Sequence, residues 1–90
     1  MFNAKLFGER MKYVRRQYKM SQRELSNRLD MDDGSLRRVE SGRTNPTLKT
    51  LHKVAQSLCI PLYVLFLPHE EFEEHFEKGA RFDEKLQSSI

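Results

Sequence analysis

The stretch SQRELSNRLDMDDGSLRRVESG, residues 21–42, decides the fold. Ser21 is followed three residues later by Glu24, the reciprocal capping pattern that fixes a helix start. Leu25 and Leu29 give this helix an apolar face, and Asp30-Met31 breaks the pattern. Asp32 is a good N-cap for a second helix. That helix turns Leu36 and Val39 inward and runs to about Ser41, with Gly42 as its C-terminal stop. The intervening turn is too short for antiparallel packing, so the two helices must cross at a large angle. Ser26 is small where they approach most closely, and Leu25, Leu29, Met31, Leu36 and Val39 can share one core.

Such a crossing is helix-turn-helix geometry, and the flanking sequence supplies further helices. Upstream, about residues 4–18, Leu6, Phe7, Met11, Val14 and Tyr18 recur at spacings of three and four. Arg10, Lys12, Arg15 and Arg16 take the remaining faces of that segment. Downstream, Thr47 caps a segment carrying Leu48, Leu51, Val54, Ala55 and Leu58. Pro61, tolerated in a first turn, starts a short apolar helix from Leu62 to Leu67. After Pro68, acidic residues from Glu70 to Glu74 favour a last helix over roughly 69–86. Phe72, Phe76, Phe82 and Leu86 line it, with Gly79 as an interruption. The expectation is an all-α protein with no sheet.

Ninety residues make one domain with a modest core. An apolar content of 38% with 32% charged residues is lean but globular. The net charge of +3 conceals an asymmetry. Residues 1–53 carry 13 Lys and Arg against 6 Asp and Glu, whereas residues 54–90 carry 3 against 7. A basic front of +7 and an acidic tail of −4 suggest that one end meets a polyanion. Two solvated faces of opposite sign would give the same count. The single Cys59 excludes an internal disulfide, and no segment is apolar enough to span a bilayer or serve as a signal peptide. These features point to a cytoplasmic protein.

With Leu36 and Val39 inward, the second helix of the pair presents Gly34, Arg37, Arg38 and Ser41 outward, flanked by Asp33 and Ser35. Small residues near its start would let it enter a major groove. Arginine can pair bidentately with guanine or clamp a phosphate.

Three stretches together resemble the lambda repressor/Cro-type helix-turn-helix family: Met20-Ser21-Gln22-Arg23-Glu24-Leu25, Leu36 through Arg43, and Asn45-Pro46-Thr47-Leu48. The resemblance covers about residues 6–67 and implies a five-helix DNA-binding domain whose third helix reads the major groove. It implies that Gln22, with Arg23 beside it, contacts phosphate and braces the groove. It carries Asp33, Gly34, Ser35, Arg37 and Arg38 over as the base-facing set, and Arg43, Thr44 and Asn45 as backbone contacts. Lys19 and Asp30 depart from it, standing at helix ends where the family often has glycine. Asp32 and Asp33 put two negative charges at the tip that should approach DNA. Asp32 reads as a cap, while Asp33 is open between capping and a base contact.

The expected organisation is a DNA-binding domain over 1–67 and an acidic helical extension over 68–90. The four apolar residues Phe72, Phe76, Phe82 and Leu86 pack back on the domain, form a dimer surface, or belong to a partly disordered tail. The expected function is a transcriptional regulator, a repressor, acting as a homodimer on two-fold double-stranded DNA. The alternative is an antitoxin-like module that binds a protein partner, with DNA binding secondary. No reactive constellation supports an enzyme. His52, His69, His75 and Cys59 are too scattered for zinc, and neither a metal nor a cofactor is expected.

Overall fold

The first four helices each start on a side chain that accepts a backbone N–H. Asn3 Oδ1 accepts from Leu6 N at 3.0 Å, Ser21 Oγ from Glu24 N at 3.0 Å, Asp32 Oδ1 from Ser35 N at 2.6 Å, and Thr47 Oγ1 from Thr50 N at 3.2 Å. Ser21 N also donates to Glu24 Oε1 at 3.3 Å, which completes the capping box. The computed structural model describes residues 2–77. It contains α1 (Ala4–Gln17), α2 (Gln22–Leu29), α3 (Asp33–Glu40), α4 (Leu48–Ser57), a 3-10 helix (Leu62–Phe66) and α5 (His69–Glu77). Among the described residues there is no strand, and no helix is long and apolar enough to cross a membrane. The expectations placed on Phe82 and Leu86 lie outside the described residues.

The helix ends follow one pattern. After α1, α2, α3 and α4 the chain turns left-handed at Lys19, Asp30, Gly42 and Cys59, with φ of 57°, 54°, 76° and 55°. The next residue's N–H reaches back five positions: Met20 to Arg15, Met31 to Ser26, Arg43 to Arg38 and Ile60 to Ala55, at 2.9–3.1 Å. This double turn satisfies carbonyls that the helix leaves without partners. Three of its four left-handed positions hold residues with a Cβ, so only Gly42 adopts the conformation without steric cost.

Phe7, Met11, Val14, Leu25, Leu29, Leu36, Val54, Leu58, Val64 and Leu65 form a nearly solvent-free core spanning all elements but α5. Phe72 and Phe76 of α5 belong to the same cluster, so the chain break at Pro68 is not a break in the core. Their rings meet Tyr13 of α1 at 5.8 and 5.9 Å. At 5% and 6% exposure, Phe72 and Phe76 pack back on the domain and have little surface left to offer a partner.

Three sequence readings need correction. Leu6 and Leu48, placed on apolar stripes, are 38% and 66% exposed. Arg10 and Arg15, placed on the solvated faces of α1, are buried. The segment after Pro61 is a 3-10 turn rather than an α-helix. It spans five residues, too few for a run of α-helical bonds, and Pro68 lacks the N–H to extend it.

Gly8 allows α1 and α3 to touch. A Cβ there would collide with the backbone carbonyls of Val39 and Glu40, so the two helices meet backbone to backbone.

Candidate nucleic-acid interface

The close approach at Gly8 brings Arg15 of α1 to Glu40 at the end of α3. Arg15 Nε and Nη2 donate to Glu40 Oε2 and Oε1 at 2.7 and 3.1 Å, a two-point pairing of fork with carboxylate. Both side chains are buried. Arg15 Nη1 donates to Met20 O at 2.8 Å, which pins the turn leading into α2. Gln22, the first residue of α2, donates from Nε2 to Glu40 Oε1 at 2.9 Å. One carboxylate thus fixes α1, the start of α2 and the end of α3 relative to one another. Sequence reasoning missed both charges, although a signal was present. Arg15 is four residues after the core Met11, and Glu40 four after the core Leu36, so each falls on the inward face of its helix.

In front of this support lies a shallow cleft of about 460 Å³ lined by Lys12, Gln22, Gly34, Arg37, Arg38, Glu40, Ser41 and Arg43. Five of the residues singled out from the sequence therefore meet in one place: Gln22, Gly34, Arg37, Arg38 and Arg43. Lys12 was not among them. Arg37, Arg38 and Arg43 are exposed, and the only carboxylate among the described lining residues, Glu40, is already paired with Arg15. The cleft is consequently electropositive. Thr44 and Asn45 are exposed in the loop after α3 and are not part of the cleft lining.

The two aspartates at the tip are engaged inside the protein. Asp32 caps α3, and its hydrogen bonds from Ser35 hold its carboxyl below the usual carboxylate range, helped by the charges of Arg38 and Arg37. Asp33 Oδ1 accepts from Ser26 Oγ at 2.7 Å, and Asp33 Oδ2 lies 3.8 Å from Arg23 Nε. Ser26 also donates toward Arg23 O at 2.9 Å, so its single proton is shared between the two acceptors. Asp33 thereby ties α3 to α2. Arg23 itself is 79% exposed, and at that exposure its ion pair adds little.

The sequence profile of the helix-turn-helix family matches residues 11–65, from the middle of α1 to the 3-10 turn. The chain belongs to the Cro/C1-type helix-turn-helix family. The helix-turn-helix protein described here is also similar to an uncharacterized HTH-type transcriptional regulator, y4dJ, of Sinorhizobium fredii (strain NBRC 101917 / NGR234). The two are 34% identical over 67 residues, which is 74% of this chain and 87% of the relative. The α2–turn–α3 unit that gives the family its description is the element that carries the electropositive cleft.

Proposed function

We propose that this chain is a sequence-specific DNA-binding transcriptional regulator, a repressor, that binds a two-fold operator as a homodimer with α3 in the major groove. The observation that carries the reading is the cleft on the outer face of α3, where Lys12, Arg37, Arg38 and Arg43 converge around Gln22 and Gly34. In this reading Gln22 and Arg23 at the start of α2, and Arg43, Thr44 and Asn45 after α3, contact phosphates. Free N–H groups at the helix starts add to those contacts. Gly34, Ser35, Arg37 and Arg38 face the bases, while Asp33 acts behind them by holding the two helices together.

A dimer is part of the reading because one such domain covers too little DNA for specific binding. The name of the Sinorhizobium relative, a transcriptional regulator, supports the same assignment. The competing reading, a protein-interaction module, would rest on the two charges at the acidic tip. Asp32 and Asp33 accept from Ser35 and Ser26 within the fold, which supports a structural role for them and favours the DNA-binding reading.

Titration of the protein against a fluorescent pool of random duplexes at several salt concentrations tests the proposal. Retention at low salt should fall steeply and log-linearly as salt rises. Arg38→Ala should weaken binding to an enriched duplex by more than about 1 kcal/mol with the fold unchanged. Absence of any complex at low salt, with a stoichiometric protein partner on purification, would favour the interaction module instead.

A further inference from the structure

The side chain of Arg38 folds back along its own helix. Its Nη2 donates to Ser35 Oγ at 3.2 Å, one turn nearer the start of α3. A Cβ built on Gly34 would lie 3.6 Å from Arg38 Nη1 and 3.8 Å from Asp32 Oδ1. The guanidinium therefore rests over the bare backbone of residue 34, beside the capping carboxylate. Helical side chains lean toward the N-terminus of their helix, so this posture is a relaxed one for an arginine in the second turn. It delivers a planar fork to the tip of α3, the part that enters a groove first.

We propose that Arg38 reads a guanine in each half-site through its O6 and N7 acceptors, and that Ser35 is the residue that positions it. The inference rests on the DNA-binding reading above and adds a base and a division of labour. A guanidinium has five N–H donors, and the bond to Ser35 takes one. Enough remain for a two-point contact with guanine, whose paired acceptors no other base presents in the major groove. Holding the fork in place before binding lowers the ordering cost of the contact. A lysine offers the same charge and can reach the same acceptors, but without the planar fork it holds them less rigidly.

Selection of bound sites from a random duplex pool, run on the full chain and on Arg38→Lys, Arg38→Ala and Ser35→Ala, tests this. Arg38 is exposed and Ser35, half-buried beside the Asp32 cap, lies outside the apolar core, so these variants retain the core, and thermal melting checks that they do. Sites selected by the unaltered protein should carry one fixed guanine per half-site. That position alone should relax in Arg38→Ala, with a loss of discrimination of roughly 5- to 150-fold in competition against the other bases, and less in Arg38→Lys, whose ammonium can still donate to O6 and N7. Ser35→Ala should keep the guanine but lose about 2- to 10-fold of its discrimination. Selected sites that are unchanged in Arg38→Ala overturn the guanine contact while leaving DNA binding intact. Full discrimination in Ser35→Ala overturns the positioning role. If the unaltered protein enriches no sequence, the DNA-binding reading itself falls, and this inference with it.

Discussion

Arg15 and Glu40, twenty-five residues apart in sequence, form a buried two-point ion pair with a shortest distance of 2.7 Å. The pair sits where α1, α2 and α3 converge, directly behind the cleft that Gln22 and Arg38 line. Removing one partner strands a charge away from water. Glu40→Ala should therefore cost about 3–5 kcal/mol of unfolding free energy, a large fraction of what a small domain has. The double change Arg15→Met with Glu40→Leu should restore most of that loss, because well-packed apolar residues can replace a buried pair. Denaturant unfolding of these two variants and the unaltered protein measures how much is recovered. If the double variant is as unstable as the single one, the pair does more than neutralise itself.

The left-handed residue after α1 is the clearest target for stabilisation. Lys19 is exposed, has φ of 57°, and forms no part of the cleft. Lys19→Gly removes the Cβ strain and should gain about 0.5–1 kcal/mol, seen as a rise of several degrees in melting temperature. A drop would mean that the glycine's extra freedom in the unfolded chain outweighs the strain it relieves.

Two glycines should respond in opposite ways to alanine. At Gly8 the added methyl meets the carbonyls of Val39 and Glu40, so Gly8→Ala should destabilise by about 1–3 kcal/mol or more. At Gly34 the nearest atoms lie 3.6 and 3.8 Å away, ordinary contact distances, and the helix gains a better former. Gly34→Ala should leave stability unchanged or raise it by about 0.5 kcal/mol. The same methyl stands on the surface proposed to approach DNA, so DNA binding should weaken. Melting temperatures and a binding titration on the two variants separate these outcomes.

The cap at Asp32 makes part of the stability depend on pH. Its carboxyl ionises more readily when folded than when unfolded, because Ser35 donates to the charged form and Arg38 and Arg37 stand nearby. The contribution is therefore present above the unfolded value of about 3.9 and is lost as pH falls through the lower folded value. Asp32→Asn keeps a capping side chain but not the charge. Its melting temperature should lie below that of the unaltered protein at pH 7, and the gap should close below about pH 4. A gap that persists unchanged to pH 2 would assign the difference to shape rather than charge.

Much of the framework was legible because local chemistry and tertiary context agree here. Ser21 with Glu24, Asp32 and Thr47 all cap where their residue types predict, and Leu25, Leu29, Leu36 and Val39 pack as their spacing requires. The charged interior was not legible by residue type. Arg10 looked like a solvated residue of α1, yet its guanidinium lies 4.6 Å from the Phe72 ring centroid and donates to Leu65 O at 3.1 Å. Burial lowers its pKa, and these two contacts compensate for the lost water. Both partners are more than fifty residues away in sequence, beyond any local pattern. Asp33 was ambiguous for a related reason: the choice between capping and a base contact depended on Ser26, which only the folded crossing brings within 2.7 Å.

The most direct test of the central claim, that the α2–turn–α3 surface meets DNA, is amide chemical-shift mapping of the labelled protein titrated with an enriched duplex. The account predicts shifts concentrated at residues 21–24, 33–38 and 42–47, with α5 and the 3-10 turn largely unmoved. Shifts confined to α5 and the 3-10 turn, with α3 silent, would contradict it.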